Sequence, residues 1–242
     1  MKWQDRGILV AIRKFGETDQ LASFVTEAHG LASGLIKGGI SRKRKPYLQI
    51  GNSFDIEWKS RLEEQLGFFN FEPVELLGAS LFESPWKLAV LASCCGVLAD
   101  SLAENTPHGR VFRLTERLIG SLSETEGAER ILFDYMLWEK ELLAELGFGL
   151  MLEKCNATGA TEDLCYISPK TGRAICRAAG EPYKDRLLPM PRIWQGATPR
   201  MEDIAEALRV LEYFFERHVY SEKNKPYPYL RRTLSDGLML AA

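Results

Sequence analysis

The stretch F-D-I-E-W-K, from Phe54 to Lys59, alternates strictly: Phe54, Ile56 and Trp58 are apolar, while Asp55, Glu57 and Lys59 are charged. Successive side chains of a strand point to opposite faces, so this segment reads as a strand with one face on a core and one in water. Four more strand-like runs surround it. R-G-I-L-V-A-I-R, from Arg6 to Arg13, is short, apolar and rich in β-branched residues. Others cover about Gln20 to Glu27, Leu31 to Lys37 and Gln65 to Phe71, with Pro73 expected to end the last. The K-F-G-E-T-D segment, Lys14 to Asp19, and the pair His29-Gly30 read as turns. Five short strands within about seventy residues, with no long helix, predict a small closed or partly open barrel. Phe68, Phe69 and Phe71 are read as its aromatic filler rather than as base-stacking platforms.

Between the third and fourth strands lies L-I-K-G-G-I-S-R-K-R-K-P-Y, Leu35 to Tyr47. Lys37, Arg42, Lys43, Arg44 and Lys45 are cationic, and no Asp or Glu occurs between Glu27 and Asp55. Gly38, Gly39 and Pro46 punctuate the segment, which places the cations on an inter-strand loop. Unneutralised Lys and Arg displace the counterions condensed on a nucleic acid, so this loop is the candidate phosphate-binding site. The competing reading is a solvated basic turn.

The 242 residues are 45% hydrophobic and 26% charged, enough for one large domain or two small ones. A formal net charge of −2 does not describe a general polyanion binder, so any nucleic-acid surface must be local, with acidic residues segregated elsewhere. Lys2, Asp5 and Arg6 interrupt the N-terminus before any apolar run, so no secretory signal is read there. Five cysteines, an odd number, then point to reduced thiols and a cytoplasmic protein.

The remainder reads as helical. Pro85 opens a helix whose body, Trp86 to Ala103, is apolar nearly all round and is expected at the centre of a bundle, with Cys94 and Cys95 as packing. Arg110 to Leu122 and Ala128 to Leu146 are amphipathic, and Gly147 is placed to terminate the second. A last helix is predicted over Met201 to Tyr220, followed by a tail in which Arg231 and Arg232 form a second, weaker basic site. Residues 153–199 are irregular and carry Cys155, Cys165 and Cys176, with a hairpin turning at Pro169 to Gly172.

The order of these pieces resembles the RecO recombination mediators. The opening strand is followed by G-E-T-D (Gly16 to Asp19), T-E-A-H-G (Thr26 to Gly30), L-I-K-G-G (Leu35 to Gly39) and the basic loop ending at Pro46. The later segment with Cys155, Y-I-S-P (Tyr166 to Pro169), Gly172 and Cys176 resembles the family's Cys-rich insertion. The resemblance implies an α+β protein. Residues 1–78 would form an oligonucleotide-binding (OB-fold) barrel, and 79–242 a helical domain with 153–199 as a zinc-knuckle-like insertion. It implies a mediator of DNA repair and homologous recombination that binds and anneals single-stranded DNA. Such a protein assists RecR in loading RecA onto strands coated by the single-stranded-DNA-binding protein, whose acidic C-terminal tail is a further expected partner. A monomer is expected, associated with the nucleoid and with no membrane partner.

The chain departs from the family at the metal. Zinc-bearing members carry two C-x-x-C pairs, whereas here Cys155 is followed by Thr158 and Cys176 by Ala179. Three thiols without a fourth donor make an incomplete structural zinc site, so no zinc is expected.

Two rival classes remain. No G-x-x-x-x-G-K-[ST], H-E-x-x-H or G-x-S-x-G occurs, and His29, His108 and His218 are far apart in sequence, which argues against an enzyme. The other rival is a helical adaptor that binds only proteins.

Overall fold

The computed structural model describes residues 1–61, 66–77, 81, 83–125 and 127–240, the last six for their backbone alone. Contacts divide the chain into two compact units, Met1–Glu126 and Gly127–Ala242. The domain boundary expected at 78/79 lies outside the described residues.

Five strands form the first unit's barrel: β1 (Lys2–Phe15), β2 (Asp19–Thr26), β3 (Gly30–Ile36), β4 (Ser53–Lys59) and β5 (Gly67–Glu75). They close in the order β1-β2-β3-β5-β4, with β3 and β5 parallel and the other pairs antiparallel. This is the small barrel expected from the strand pattern and the OB-fold that the family resemblance implies, and the fold is α+β as a whole. Inside it, the Phe24 ring meets Phe69 edge-on at 4.8 Å and Phe54 at 5.7 Å. Leu9, Ile36 and Ile56 fill the space around them.

Two strands run further than their sequence pattern. β1 begins at Lys2, not Arg6, because its polar first half pairs with β4, setting Trp3 opposite Trp58. From Gly7 onward it pairs with β2, with an irregularity between Leu9 and Ala11. β5 passes through Pro73, which was expected to stop it. Beyond Phe68, β3 no longer pairs with β5, so the absent proline N–H faces no second strand. Gln65, the expected start of β5, lies outside the described residues. Gly67 is required where the chain re-enters the sheet: a Cβ there would stand 2.2 Å from the Trp58 indole.

Helices α1 (Pro85–Ser101) and α2 (Gly109–Glu124) complete this unit. Pro85 sits in the first turn of α1, where its missing N–H costs nothing. Rather than forming a bundle centre within this unit, α1 lies against β1, with Leu91 filling the space a side chain at Gly51 would need. Its thiols are packing groups, as expected: Cys94 and Cys95 are buried, and burial pushes the Cys95 thiol up to about 12.

The second unit is built on α3 (Ala128–Leu143), α4 (Met201–Phe215) and α5 (Tyr229–Leu240). Ile131, Tyr135, Trp138 and Leu142 are buried on α3, and Ile204, Leu208, Leu211 and Phe215 on α4, each set spaced along one face of its helix. Both helices end in a wider turn, Ala144–Phe148 and Glu216–Tyr220, and Gly147 closes the first with φ +90°. Helix α5 replaces the expected tail. The Pro228 carbonyl accepts the N–H groups of Arg231 and Arg232 and so begins the helix. A small sheet of order β7-β6-β8 comprises the expected hairpin, β6 (Leu164–Ile167) and β7 (Ala174–Cys176), and β8 (Leu188–Pro189).

Candidate nucleic-acid interface

The basic loop leaves β3 at Lys37. Gly38, at φ +61°, donates its N–H to the Asp19 carboxylate at 2.8 Å, which ties the loop to the start of β2. That hydrogen bond, with others from Thr18 and the nearby Lys37 charge, lowers the Asp19 carboxyl below its ordinary value. From Ser41 the backbone winds through successive turns: the N–H groups of Arg44 and Lys45 both reach the Ser41 carbonyl, and that of Leu48 reaches Lys45. Leu48 is buried in the barrel. Asn52 clamps the far end, donating to the Tyr47 carbonyl at 2.7 Å and accepting from the Leu77 N–H at 2.9 Å. The cations therefore project from a wound, anchored loop.

Lys37, Arg42, Lys43, Arg44 and Lys45 are all exposed. Among the described residues, none of the five forms an ion pair with a carboxylate. Arg44 donates to the Lys37 carbonyl and its guanidinium lies 5.9 Å from the Phe71 ring centroid. The Lys37 ammonium stands 4.5 Å over Phe68. The loop thus presents concentrated positive charge to solvent, with two cations steadied by aromatic rings.

Acidic groups are segregated on the same barrel. Asp5, Asp55, Glu57 and Glu72 line an open cavity of about 610 Å³ with Gln4 and Asn70.

The second basic site expected from the sequence does not form. Arg231 is fully buried, bonded to Glu139 and to the Leu208 carbonyl, so no phosphate reaches it. Arg232 is half-exposed and faces Glu212 and Glu216. The sequence reading also treated three phenylalanines alike. Phe69 is core and Phe71 packs against it, but Phe68 is 40% exposed. The period-two alternation carried the signal, since Phe68 shares its parity with Asn70 and Glu72. Lys59 and Arg61, beside Phe68, also went unnoticed.

In the Cys-containing segment the three thiols meet different partners. Burial acts to raise the Cys155 thiol, but the Thr158 hydroxyl and the backbone N–H groups of Cys176, Thr158 and Ala157 outweigh it and bring it to about 6. Thr158 Oγ1 also lies 3.5 Å from Cys176 Sγ, so a hydroxyl stands between the two sulfurs. Cys165 is turned to Asp163, 3.1 Å from Oδ1. Among the described residues no three His, Cys, Asp or Glu side chains converge to hold a metal. The donor set does not fit tetrahedral zinc.

A closed barrel of this strand order, with a cationic β3–β4 loop and a helical second unit, defines an OB-fold protein. Residues 1–77 match the family described as "Recombination protein O N terminal", and residues 83–226 match "Recombination protein O C terminal". Similar along nearly their whole length are the DNA repair proteins RecO of three bacteria. That of Jannaschia sp. is 40% identical over 239 residues, 98% of this chain and 96% of the relative. The Phenylobacterium zucineum protein is 39% identical over 240 residues, 98% of each chain, and that of Methylocella silvestris 37% over 236 residues, 96% and 94%. The chain belongs to the RecO family of DNA repair proteins. Among the described residues no helix is long and apolar enough to cross a membrane.

Proposed function

We propose that the protein binds and anneals single-stranded DNA through Lys37, Arg42, Lys43, Arg44 and Lys45, and assists RecR in loading RecA onto strands coated by the single-stranded-DNA-binding protein. The observation that carries this reading is the exposure of all five cations without a carboxylate partner among the described residues. Contacts to phosphate hold a strand without reading its sequence, which suits a mediator that must act anywhere. Annealing needs no nucleophile. Cations lower the repulsion between two strands, and base pairing supplies the free energy. The protein acts without zinc, in the cytoplasm. The acidic tail of the single-stranded-DNA-binding protein is a second partner.

Fluorescence anisotropy with an unstructured oligonucleotide, across a salt series, tests the DNA half. Neutralising about four phosphates gives a slope of log affinity against log salt near −3. The variant with all five cations changed to Ala is expected to lose most of that slope while keeping its circular dichroism spectrum. A flat slope in the unaltered protein favours an adaptor that binds only proteins.

A further inference from the structure

Phe68 is a large apolar side chain turned outward on a barrel whose other aromatic residue at this point, Phe69, is only 2% exposed. It stands in a row across three strands, with Leu35 of β3 on one side and Lys59 of β4 on the other. Around it is an open cleft of about 500 Å³, lined also by Lys37, Arg61 and the 44%-exposed Leu66. That volume lies within the range of roughly 300–1,000 Å³ typical of small-ligand sites.

We propose that Phe68 is a stacking platform for one unpaired nucleobase, with Lys37, Lys59 and Arg61 holding the flanking phosphates. The inference rests on the single-strand binding proposed above and extends it from phosphates to bases. A flat ring between cations suits a nucleotide, whose base needs a π-face and whose phosphates need positive charge on either side. Duplex DNA fits poorly, because its bases are already stacked on one another. The Lys37 ammonium over the ring acts as a placeholder. An exposed cation–π contact is weaker than a base stack, so an arriving base displaces it and leaves Lys37 free to meet a phosphate. Lys59 is held by Glu57, and its contribution is the smaller for it.

The charge gradient along the same face confines the strand. Moving along the outer face of β4 and β5 away from Phe68, the next cross-strand pair is Glu57 with Asn70, then Asp55 with Glu72. The strand is repelled that way. Its contacts on this face are therefore held to the Arg61–Phe68–Lys37 cleft.

The test uses the full chain and two variants, Phe68→Ala and Phe68→Trp, with thermal unfolding confirming that each folds. Binding is measured to oligodeoxythymidylate, to an abasic oligonucleotide of the same length, and to an acidic peptide ending in an apolar residue. Phe68→Ala is expected to weaken oligodeoxythymidylate about tenfold with an unchanged salt slope, and Phe68→Trp to retain affinity. The abasic strand is expected to bind the unaltered protein and Phe68→Ala equally. Unchanged oligodeoxythymidylate affinity in Phe68→Ala, beside a normal slope in the unaltered protein, overturns the platform and leaves phosphate binding standing. Equal weakening of the abasic strand also overturns it, and so does loss of the peptide alone. A flat slope in the unaltered protein overturns the underlying reading.

Discussion

Arg231 and Glu139, ninety-two residues apart, form a two-point ion pair from which water is excluded: Nε lies 2.5 Å from Oε1 and Nη2 lies 2.8 Å from Oε2, with neither side chain exposed. Tyr135 adds its hydroxyl to Oε1 at 2.8 Å, and the Leu208 carbonyl takes a further guanidinium N–H at 2.9 Å. Burial acts to lower the Arg231 pKa, but the Glu139 carboxylate outweighs it, so the guanidinium keeps its charge. The pair ties α5 to α3. Removing one partner strands a buried charge, so Arg231→Ala or Glu139→Ala is expected to destabilise the second unit by about 3–5 kcal/mol in urea titrations. Replacing both by apolar residues of similar volume is expected to cost far less.

Two glycines with nearly the same backbone conformation separate dihedral strain from a clash. Gly30 (φ +71°) would place a Cβ 1.8 Å from the Thr106 carbonyl oxygen, whereas nothing lies within 4 Å of one at Gly16 (φ +62°). Gly16→Ala is expected to cost about 1 kcal/mol, the penalty of a left-handed L-residue. Gly30→Ala is expected to cost about 3 kcal/mol or more, because the β2–β3 turn must also part from the α1–α2 loop. Parallel denaturation of the two variants measures the difference.

On the outer face of β4, Lys2 and Lys59 grip the two oxygens of Glu57. Hydrogen bonds from Lys2 and then Lys59 hold its carboxyl down, from an ordinary 4.5 to about 2. A carboxyl more acidic in the folded than in the unfolded chain stabilises the fold above its unfolded pKa, and that contribution disappears as pH falls through the folded one. The Tm of the unaltered protein is therefore expected to fall between pH 4.5 and pH 2 partly through Glu57. Glu57→Gln should flatten that part of the curve by lowering the Tm at neutral pH, while leaving it little changed near pH 2.

The degenerate knuckle makes a prediction about metal. With Thr158 Oγ1 set between Cys155 and Cys176, the unaltered protein is expected to purify without stoichiometric zinc. Thr158→Cys combined with Ala179→Cys restores both C-x-x-C pairs and is expected to take up one zinc per chain. Elemental analysis of both proteins decides it, and stoichiometric zinc in the unaltered chain would show that Cys155 and Cys176 recruit donors not seen here.

Much of the first unit could be read along the chain. Strand identity at Phe54 to Lys59 follows from alternation between neighbours, and the cationic loop from a run of Lys and Arg bounded by Gly and Pro. The reading failed where strands meet. The first half of β1 is polar and becomes a strand only because β4 lies beside it, and β5 tolerates Pro73 only because β3 has already left. In the second unit, the segment expected as a tail forms α5, whose first accepting carbonyl is that of Pro228.

Residue order by itself determined the barrel, the loop cations, the buried stripes of the long helices and the missing half of each cysteine pair. These depend on periodicity and spacing, which are local. Tertiary structure alone decided that Arg231 is a core residue and not a surface cation, and that the loop charges stay unpaired among the described residues. A charge is free or neutralised according to what folds against it. For Arg231 that partner lies on a helix most of a hundred residues earlier, beyond the reach of any pattern in the neighbouring sequence.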